Sequence, residues 1–362
     1  MQFKDKSWQL QRYPKTTNNS LKAWSAADEL LLSEAKELDG KKITLIHDSF
    51  GALATLLHQY NPTSVITYHS QLKAIRHNLK INSLDPKSLT YTNPFKMDQI
   101  ESDLVLMKVP KSAELFELYL SKIHGSLNSH STILCGFMTK YFTPRWLEIA
   151  EQFFDDVSQS KAAKKARVIT LKSPKKEAPK IPLFNTIKNE FDLSLKQYAG
   201  VFSSSKIDIA TQILLNNLPE LNSNQNVLDL ACGNGVIAAY VSKLLPETKV
   251  TALDDNFLAI SSAKLNVTKD QAEFYWADSI KACKDQKFDL ILCNPPFHFE
   301  YENNIEVALK LFREASDFLN EGGEFRIVAN THLNYRSHLN HLFSKVKQII
   351  KSGKYEVISC IK

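Results

Sequence analysis

Phe288-Asp289-Leu290-Ile291-Leu292-Cys293-Asn294-Pro295-Pro296-Phe297 joins a run of apolar residues directly to two prolines. The apolar run is typical of a buried strand, and proline cannot continue the ladder of a central strand, so the strand is predicted to end at Asn294. Open α/β sheets bind their ligands at the carboxyl ends of their strands. There, the Asn294 amide oxygen and the Pro295 carbonyl can accept hydrogen bonds from a planar amino group whose ring stacks on Phe297. A strand followed by a plain proline turn fits this tetrapeptide equally well.

The composition favours two domains of ordinary size in a chain of 362 residues. The net charge of +6 suits a polyanionic partner, although proteins without such a partner often carry the same charge. The amino terminus has no apolar signal-peptide core, and the sequence has no apolar run long enough to span a bilayer. We therefore expect a soluble, cytoplasmic protein that does not bind membranes.

The five cysteines show no C-x-x-C spacing and lie mostly within apolar, strand-like runs. This pattern favours buried, reduced thiols over disulfides or a metal site.

Strand-like and helix-like segments alternate along the chain, which predicts α/β domains with doubly wound parallel sheets. The first half has predicted strands at 43–46, 65–68 and 103–108, and predicted helices from near Ser25 to Gly40 and at 52–59, 71–80 and 113–123. The second half has a predicted hairpin at 184–195, strands at 226–230, 249–253, 274–278, 288–293 and 324–329, helices at 207–218, 236–245, 257–266 and 333–343, and a closing hairpin at 346–361.

A basic, proline-containing segment separates the two halves, with a single acid, Glu177, among its lysines and arginine. We predict a first domain over 1–172, a linker over 173–182 and a second domain over 183–362. Such a charge run is usually a solvated face, but it also suits contact with phosphates.

The two halves also repeat each other. Residues 103–110 match residues 289–296 at an offset of 186, and the same offset pairs Tyr68 with Asp254, Leu79 with Leu265, and Ile81 with Val267. A shared offset predicts two copies of one domain. The first copy has Lys108 where the second has Asn294.

A glycine turn in the second copy predicts its ligand. Asp229 ends a strand that runs through Ala231 into Gly233 and Gly235, which open a helix. This resembles a dinucleotide fingerprint with Ala238 in place of the third glycine. However, an acid at Asp229 would repel a pyrophosphate, whereas it can pair with the cationic amino-acid portion of S-adenosylmethionine.

Two further acids follow the next strands. Asp254 is predicted to accept hydrogen bonds from the ribose hydroxyls, and Asp278 to meet the adenine amino group. Helix N-capping remains the alternative role, mainly for Asp278 and the neighbouring Asp255.

With these motifs in place, the whole chain resembles the bacterial ribosomal RNA guanine-N2 methyltransferases, and among them the large-subunit (23S) enzymes. The similarity is carried by residues 10–14, 23–29, 199–203, 293–298 and 328–333. It implies two tandem Rossmann-like methyltransferase domains, the first degenerate, with S-adenosylmethionine as cofactor and ribosomal RNA as partner. Ala231 departs from the glycine that is more usual in the family, and it is small enough that we expect no loss of binding.

The resemblance also assigns roles. We expect Asn294, Pro295, Pro296 and Phe297 to form the catalytic site, with no metal and no strong base, and His298 to be structural. The first domain is expected to bind RNA through a set of basic residues: Lys108, Lys111, Lys164, Lys165 and Arg167. The alternatives are a 16S guanine-N2 enzyme, an adenine-N6 or glutamine-N5 methyltransferase, since both share the Asn-Pro-Pro-Phe motif, or a non-catalytic assembly factor.

Overall fold

A computed structural model describes residues 1–16, 18, 20–296, 298–299, 302–303 and 305–362. The chain forms two compact units, Met1–Pro182 (unit 1) and Leu183–Lys362 (unit 2). Each unit is described by itself.

Unit 1 alternates strands and helices around one seven-stranded sheet. Its sheet order is β5-β4-β3-β6-β7-β9-β8, and β1 pairs separately with β2. The elements are β1 Gln2–Phe3, β2 Lys6–Ser7, α1 Ala26–Glu34, β3 Ile43–Ile46, α2 Ala52–Leu56, β4 Thr63–Val65, α3 His69–Ile81, β5 Thr90–Thr92, β6 Ser102–Lys108, α4 Ala113–His124, β7 Leu127–Met138, α5 Arg145–Phe153, β8 Phe154–Gln159 and β9 Ala166–Pro174.

Unit 2 repeats this topology after an antiparallel hairpin of β10 and β11. Its sheet order is β14-β13-β12-β15-β18-β20-β19, with β16 and β17 paired separately. The elements are β10 Phe184–Ile187, β11 Leu195–Tyr198, α6 Ile209–Leu215, β12 Val227–Leu230, α7 Val236–Leu244, β13 Val250–Asp254, α8 Phe257–Asn266, β14 Ala272–Trp276, β15 Phe288–Cys293, β16 His298–Phe299, β17 Glu302–Asn303, α9 Ile305–Phe318, β18 Leu319–Asn330, α10 Tyr335–Leu339, β19 Lys345–Ser352 and β20 Tyr355–Ile361.

Each main sheet is mostly parallel, which confirms the predicted α/β class, and each also contains antiparallel pairs that the sequence did not predict. The first five strands of each order are parallel, and the last two pair antiparallel. The closing hairpin at 346–361 was predicted from the sequence, but its antiparallel addition to the sheet was not. The sheet of unit 2 is doubly wound, because one core packs under α6, α7 and α8 on one face and a second core packs under α9 and α10 on the other.

Several helices and strands differ from the sequence prediction. The first predicted helix ends at Glu34 rather than Gly40, and the strand predicted at 65–68 is β4, Thr63–Val65. The amphipathic helix α9 and the long strand β7 were not predicted. β9 continues to Pro174, two residues into the predicted linker.

The cysteines are all buried, and none forms a disulfide. Burial also explains the apolar sequence of β15, the strand that ends just before Asn294. Its residues Leu290, Ile291, Leu292 and Cys293 are at most 1% exposed. Full burial of a leucine or isoleucine side chain stabilises a fold by about 1.5–3 kcal/mol.

The strand registers match residues of one sheet with residues of the other, but the difference in residue number between matched residues is not constant. In unit 1, Val65 pairs with Ile46, and in unit 2 Leu253 pairs with Leu230. The residue of unit 1 equivalent to Asp254 is therefore buried Ile66, not Tyr68 as the sequence repeat suggested. The equivalence of Lys108 with Asn294 holds, because β6 and β15 keep the same register against β3 and β12.

One asparagine makes the same contacts in both units and fixes the alignment of the helices. Asn78 Nδ2 donates to the Phe50 carbonyl at 2.7 Å, and Asn266 Nδ2 donates to the Asn234 carbonyl at 2.8 Å. Each side chain also exchanges two hydrogen bonds with the backbone of a preceding segment, at Gln11 and at Lys196. When Asn78 is matched with Asn266, the residue of unit 2 equivalent to Leu79 is Val267 rather than Leu265. The structure thus corrects two repeat pairs, Leu79 with Leu265 and Ile81 with Val267. Leu265 is 41% exposed, whereas Leu79 and Val267 are buried.

Candidate functional site

The strand register places most of the predicted site residues of unit 2 at one edge of its sheet. Leu230 pairs with both Leu253 and Cys293, so Ala231, Asp254 and Asn294 follow three neighbouring strands at the same level. Asp278 follows β14, the next strand outward. The sheet brings the predicted cofactor residues next to the Asn-Pro-Pro segment because parallel strands expose their carboxyl ends together.

The turn between β12 and α7 depends on glycine in two different ways. Gly235 caps α7 at φ +77°, and a Cβ there would lie 2.8 Å from the Cβ of Ala263 on α8. Gly233 has φ +55°, but a Cβ there would meet no atom within 4 Å. Gly235 therefore allows α7 and α8 to pack closely, and Gly233 leaves open space beside a bare backbone.

Ala231 has φ +59°, in the left-handed region. This conformation costs a residue with a Cβ about 1–2 kcal/mol. Glycine at this position would avoid that cost.

Asp229 lies within β12 and is fully buried, not at the exposed tip of the strand. Its Oδ2 accepts a hydrogen bond from the Ala238 N–H at 3.0 Å, whereas Oδ1 has no hydrogen-bond partner among the described residues. Burial raises the pKa of Asp229 to about 7. A buried carboxylate oxygen without a partner is well suited to accept a hydrogen bond from a cationic ligand.

Asp254 organises the glycine turn from the neighbouring strand. Its Oδ2 accepts from the Gly233 N–H at 2.8 Å and its Oδ1 accepts from the Asn256 N–H at 2.8 Å. Burial raises the pKa of Asp254 to about 6. Each carboxylate oxygen can accept a further hydrogen bond, so these contacts leave capacity for a ribose hydroxyl.

Asp278 is joined to α9, the helix that the sequence analysis missed. Its Oδ2 lies 3.0 Å from Lys310 Nζ, and Lys310 also donates to the Asp278 carbonyl at 2.8 Å. Four residues further along the helix, Glu314 accepts from the Ser279 hydroxyl and from the Ile280 N–H. The capping alternatives for Asp255 and Asp278 are wrong, because Asn256 and Ser279 are the N-caps of the following helices.

Asn294 is half-buried, and contacts from α6 fix the orientation of its amide. Its Nδ2 donates to Thr211 Oγ1 at 2.9 Å and to Asp208 Oδ2 at 3.3 Å. An ionised carboxylate only accepts hydrogen bonds, so the nitrogen must face Asp208. The Asn294 Oδ1 is buried and has no hydrogen-bond partner among the described residues.

The sequence analysis missed both residues that hold Asn294. Asp208 caps α6 by accepting from the Ala210 and Thr211 N–H groups. The sequence signal was an aspartate at a helix start, but the predicted helix began at Ile207 and so hid the cap.

Pro295 is buried and Pro296 exposed, whereas Phe297 and the side chain of His298 lie outside the described residues.

The basic residues predicted in unit 1 have diverse surroundings. Lys108 Nζ lies 3.2 Å from Oδ2 of the fully buried Asp28, and Lys164 Nζ lies 2.7 Å from Glu29 Oε2. Arg167 Nη1 donates to Gln159 Oε1 at 2.6 Å. Lys111 and Lys165 are exposed. The Lys108 ammonium is therefore directed at a buried acid of its own unit.

A search of the described residues finds no cluster of three or more His, Cys, Asp or Glu side chains that could hold a metal ion. Within the same residues, no helix has the length and apolar character needed to cross a membrane.

Two family models match the chain. The RLMG N-terminal domain matches residues 1–175, and the methyltransferase small domain matches residues 192–359. In structure, the chain is similar to a T. thermophilus 16S rRNA N2 G1207 methyltransferase (RsmC) in complex with AdoMet and guanosine. The TM-score is 0.78 over 93% of this chain and 92% of that one, at 21% identity, so this likeness establishes the fold.

Curated relatives extend over the full length of the chain. Ribosomal RNA large subunit methyltransferase G of Pseudoalteromonas translucida is 31% identical over 100% of this chain and 97% of its own. The protein of the same name from Shewanella loihica is 32% identical over 98% of this chain and 92% of its own. This chain is therefore a member of the ribosomal RNA large subunit methyltransferase G family.

Proposed function

We propose that this protein transfers a methyl group from S-adenosylmethionine to the exocyclic N2 of a specific guanine in 23S ribosomal RNA. The observation that carries the proposal is the held amide of Asn294, whose nitrogen donates to Thr211 and Asp208 while its oxygen has no hydrogen-bond partner in the described part of the chain. The names of the full-length relatives support large-subunit RNA as the substrate and, with it, a cytoplasmic site of action.

The residues of unit 2 fit the cofactor. Asp229 Oδ1, which has no hydrogen-bond partner among the described residues, suits the ammonium group of the cofactor. The open space beside Gly233 admits a ligand close to the backbone, and Asp254 can accept hydrogen bonds from the cofactor's ribose. Asp278, held by Lys310, can accept a hydrogen bond from the adenine amino group. When bound, S-adenosylmethionine supplies an electrophilic methyl group.

Asn294 and Pro295 prepare the acceptor nitrogen. Guanine N2 is a poor nucleophile because its lone pair is delocalised into the ring. When Asn294 Oδ1 and the Pro295 carbonyl accept its two N–H groups, they favour a pyramidal nitrogen and aim its lone pair. Positioning of this kind lowers barriers by up to about 7–11 kcal/mol in ideal cases. No strong base is required, since the nitrogen becomes acidic once it carries the methyl group.

The target nucleotide must leave its base pair to reach this site, because N2 takes part in Watson–Crick pairing. We assign to Phe297 the role of stacking on the extruded guanine, and to Pro296 the role of fixing the chain between Asn294 and Phe297. Unit 2 supplies all of these groups.

The first domain has a different role. In unit 1 the positions of Asp229 and Asp254 are taken by apolar Leu45 and Ile66, so unit 1 lacks the two acids assigned to the cofactor in unit 2. The buried Asp48 nevertheless accepts the Ala54 N–H at 2.8 Å, the counterpart of the contact between Asp229 and Ala238. We propose that residues 1–172 form a degenerate methyltransferase domain that contributes RNA binding, that 173–182 link the two, and that 183–362 are catalytic.

Mass mapping of ribosomal RNA from a strain lacking the gene tests the assignment. The proposal expects one missing N2-methylguanosine in 23S RNA, restored by the native gene and not by Asn294→Ala. Loss of a 16S modification, of an N6-methyladenosine or of a methylated glutamine in a protein would favour an alternative. His298→Ala is the companion variant, and we expect it to restore the modification.

A further inference from the structure

A continuous basic surface lies at the outer edge of unit 2. No aspartate or glutamate occurs between Glu324 and Glu356. The stretch contains five exposed lysines and arginines, here called the basic edge: Arg336, Lys345, Lys347, Lys351 and Lys354. Three exposed histidines accompany them: His332, His338 and His341.

The fold places these residues along one edge of the unit, with Lys345 and Lys347 on one face of β19 and Lys351, past the bulge between Gln348 and Ile350, on the other face. β19, which carries three of the lysines, is the last strand of the sheet order. Arg336 on α10 donates to Gln348 Oε1 at 3.3 Å, so the helix lies against this strand. Lys345 and Lys351 are six residues apart in β19, a distance of about 20 Å along a strand.

One end of the basic edge reaches the level of Asn294. Cys293 pairs with Ile327 on β18, and Asn330 pairs with Tyr355 on β20. The Lys354 carbonyl accepts the Thr331 N–H at 2.9 Å just past these strands. β20 is two strands from β15, a distance of about 10 Å, and Lys354 lies about three residues, or about 10 Å, past the level of Asn294 along the strands.

The corresponding edge of unit 1 has mixed charge. There α5 and β8 occupy the positions of α10 and β19. They carry exposed Arg145 and four exposed acids, Glu148, Glu151, Asp155 and Asp156, and the turn after β8 carries exposed Lys161, Lys164 and Lys165. Charges of either sign protect an edge strand from pairing with another chain, so protection alone does not explain why unit 2 uses only cations.

We propose that the basic edge binds the phosphate backbone of the RNA that flanks the target nucleotide. This inference rests on the proposed function for its substrate, and it assigns phosphate contacts to the catalytic unit in addition to those proposed for unit 1. Lysine and arginine neutralise phosphates without reading sequence, so the surface positions the strand and contributes affinity, not target choice.

The test is the salt dependence of RNA binding. Lys345, Lys347 and Lys351 are replaced together by glutamine in the full chain, and fluorescence anisotropy measures the affinity for a labelled single-stranded RNA oligonucleotide from about 50 to about 200 mM salt. Each lost phosphate contact on a single strand lowers the slope of log affinity against log salt by about 0.7, so we expect a decrease of about 2.

A matched control removes the same charge from elsewhere in unit 2. Lys264, Lys269 and Lys284 are exposed and lie away from β19. Their triple glutamine variant should change the slope by less than half as much. Equal changes in the two triple variants, or an unchanged slope in the β19 variant, would overturn the proposal. Arg336→Gln with Lys354→Gln gives an independent measurement, with an expected decrease of about 1.4.

Methyl transfer to 23S RNA separates this inference from the proposed function. The β19 variant should keep kcat at saturating RNA and show a raised KM for RNA. If the native chain transfers no methyl group to guanine, the proposed function fails, whereas an unchanged slope in a chain that still methylates RNA is a failure of the basic edge alone.

Discussion

The amide nitrogen of Asn294 lies 2.9 Å from Thr211 Oγ1, on the first turn of α6. At the corresponding place in unit 1, the ammonium of Lys108 lies 3.2 Å from the carboxylate of Asp28, on the first turn of α1. In both units the residue at the carboxyl end of the fourth parallel strand of the sheet order is therefore held by a polar side chain of the helix that precedes β3 or β12. Unit 2 has an amide with a partnerless oxygen in this position, and unit 1 has an ion pair.

Replacing Thr211 by valine removes the acceptor and keeps the shape of the side chain. We expect kcat to fall about 5- to 10-fold, because a typical hydrogen bond contributes about 1 kcal/mol and its loss frees the Asn294 amide to rotate. Affinity for S-adenosylmethionine, measured by calorimetry, should not change. Thr211→Ser keeps the hydroxyl and should retain most of the turnover. If Thr211→Val loses stability but keeps kcat, the residue is structural and does not position Asn294.

The stability of the cofactor-free protein should depend on pH through Asp229. Its folded pKa of about 7 lies above the value near 3.9 expected in the unfolded chain, so the folded state holds a proton that the unfolded state releases. Stability should therefore decrease as pH rises from about 4 to about 7, by roughly 1–3 kcal/mol, and level off above.

Urea unfolding at several pH values measures this effect, with Asp229→Asn as the comparison. The asparagine can still accept the Ala238 N–H but does not titrate, so its curve should lack the decrease between about pH 6 and 7 and show a smaller decrease below pH 6, where Asp254 and Asp48, with pKa values raised to about 6 by burial, also contribute. The same variant should bind S-adenosylmethionine at least tenfold more weakly. A native and a variant curve of the same shape would contradict the role given to burial.

The two glycines of the turn should respond differently to alanine. Gly235→Ala places a methyl group 2.8 Å from the Ala263 Cβ and should destabilise the fold by about 2–4 kcal/mol. Gly233→Ala meets no protein atom within 4 Å, so it should cost only about 1 kcal/mol of stability. Its main effect should be on cofactor affinity, measured by calorimetry. Equal losses of stability in the two variants would argue against this division of roles.

Each chain should bind one equivalent of S-adenosylmethionine. Unit 1 has Leu45, Ile66 and Lys108 where unit 2 has Asp229, Asp254 and Asn294. Isothermal titration calorimetry of the native chain gives the stoichiometry, and Asp254→Ala should remove most of the heat. Two equivalents per chain would show that unit 1 also binds the cofactor.

The duplicated α/β architecture, the family and the motifs at the strand ends can all be predicted from the amino-acid sequence. Apolar runs such as 288–293 identify buried strands, and proline and glycine end them, so these local signals could be read directly. The shared offset of 186 found the duplication but misaligned the helices, because insertions and deletions between the copies leave no mark in a short match.

The side chains that hold the site become visible only in the folded chain. Asp208 and Thr211 lie more than eighty residues before Asn294, and Lys310 lies on a helix that the sequence analysis missed. The burial of Asp229 and the partnerless oxygens of Asp229 and Asn294 are likewise properties of packing between elements. Sequence spacing fixes which face of a strand or helix a residue occupies, whereas contacts between distant elements depend on how the sheet and its helices pack.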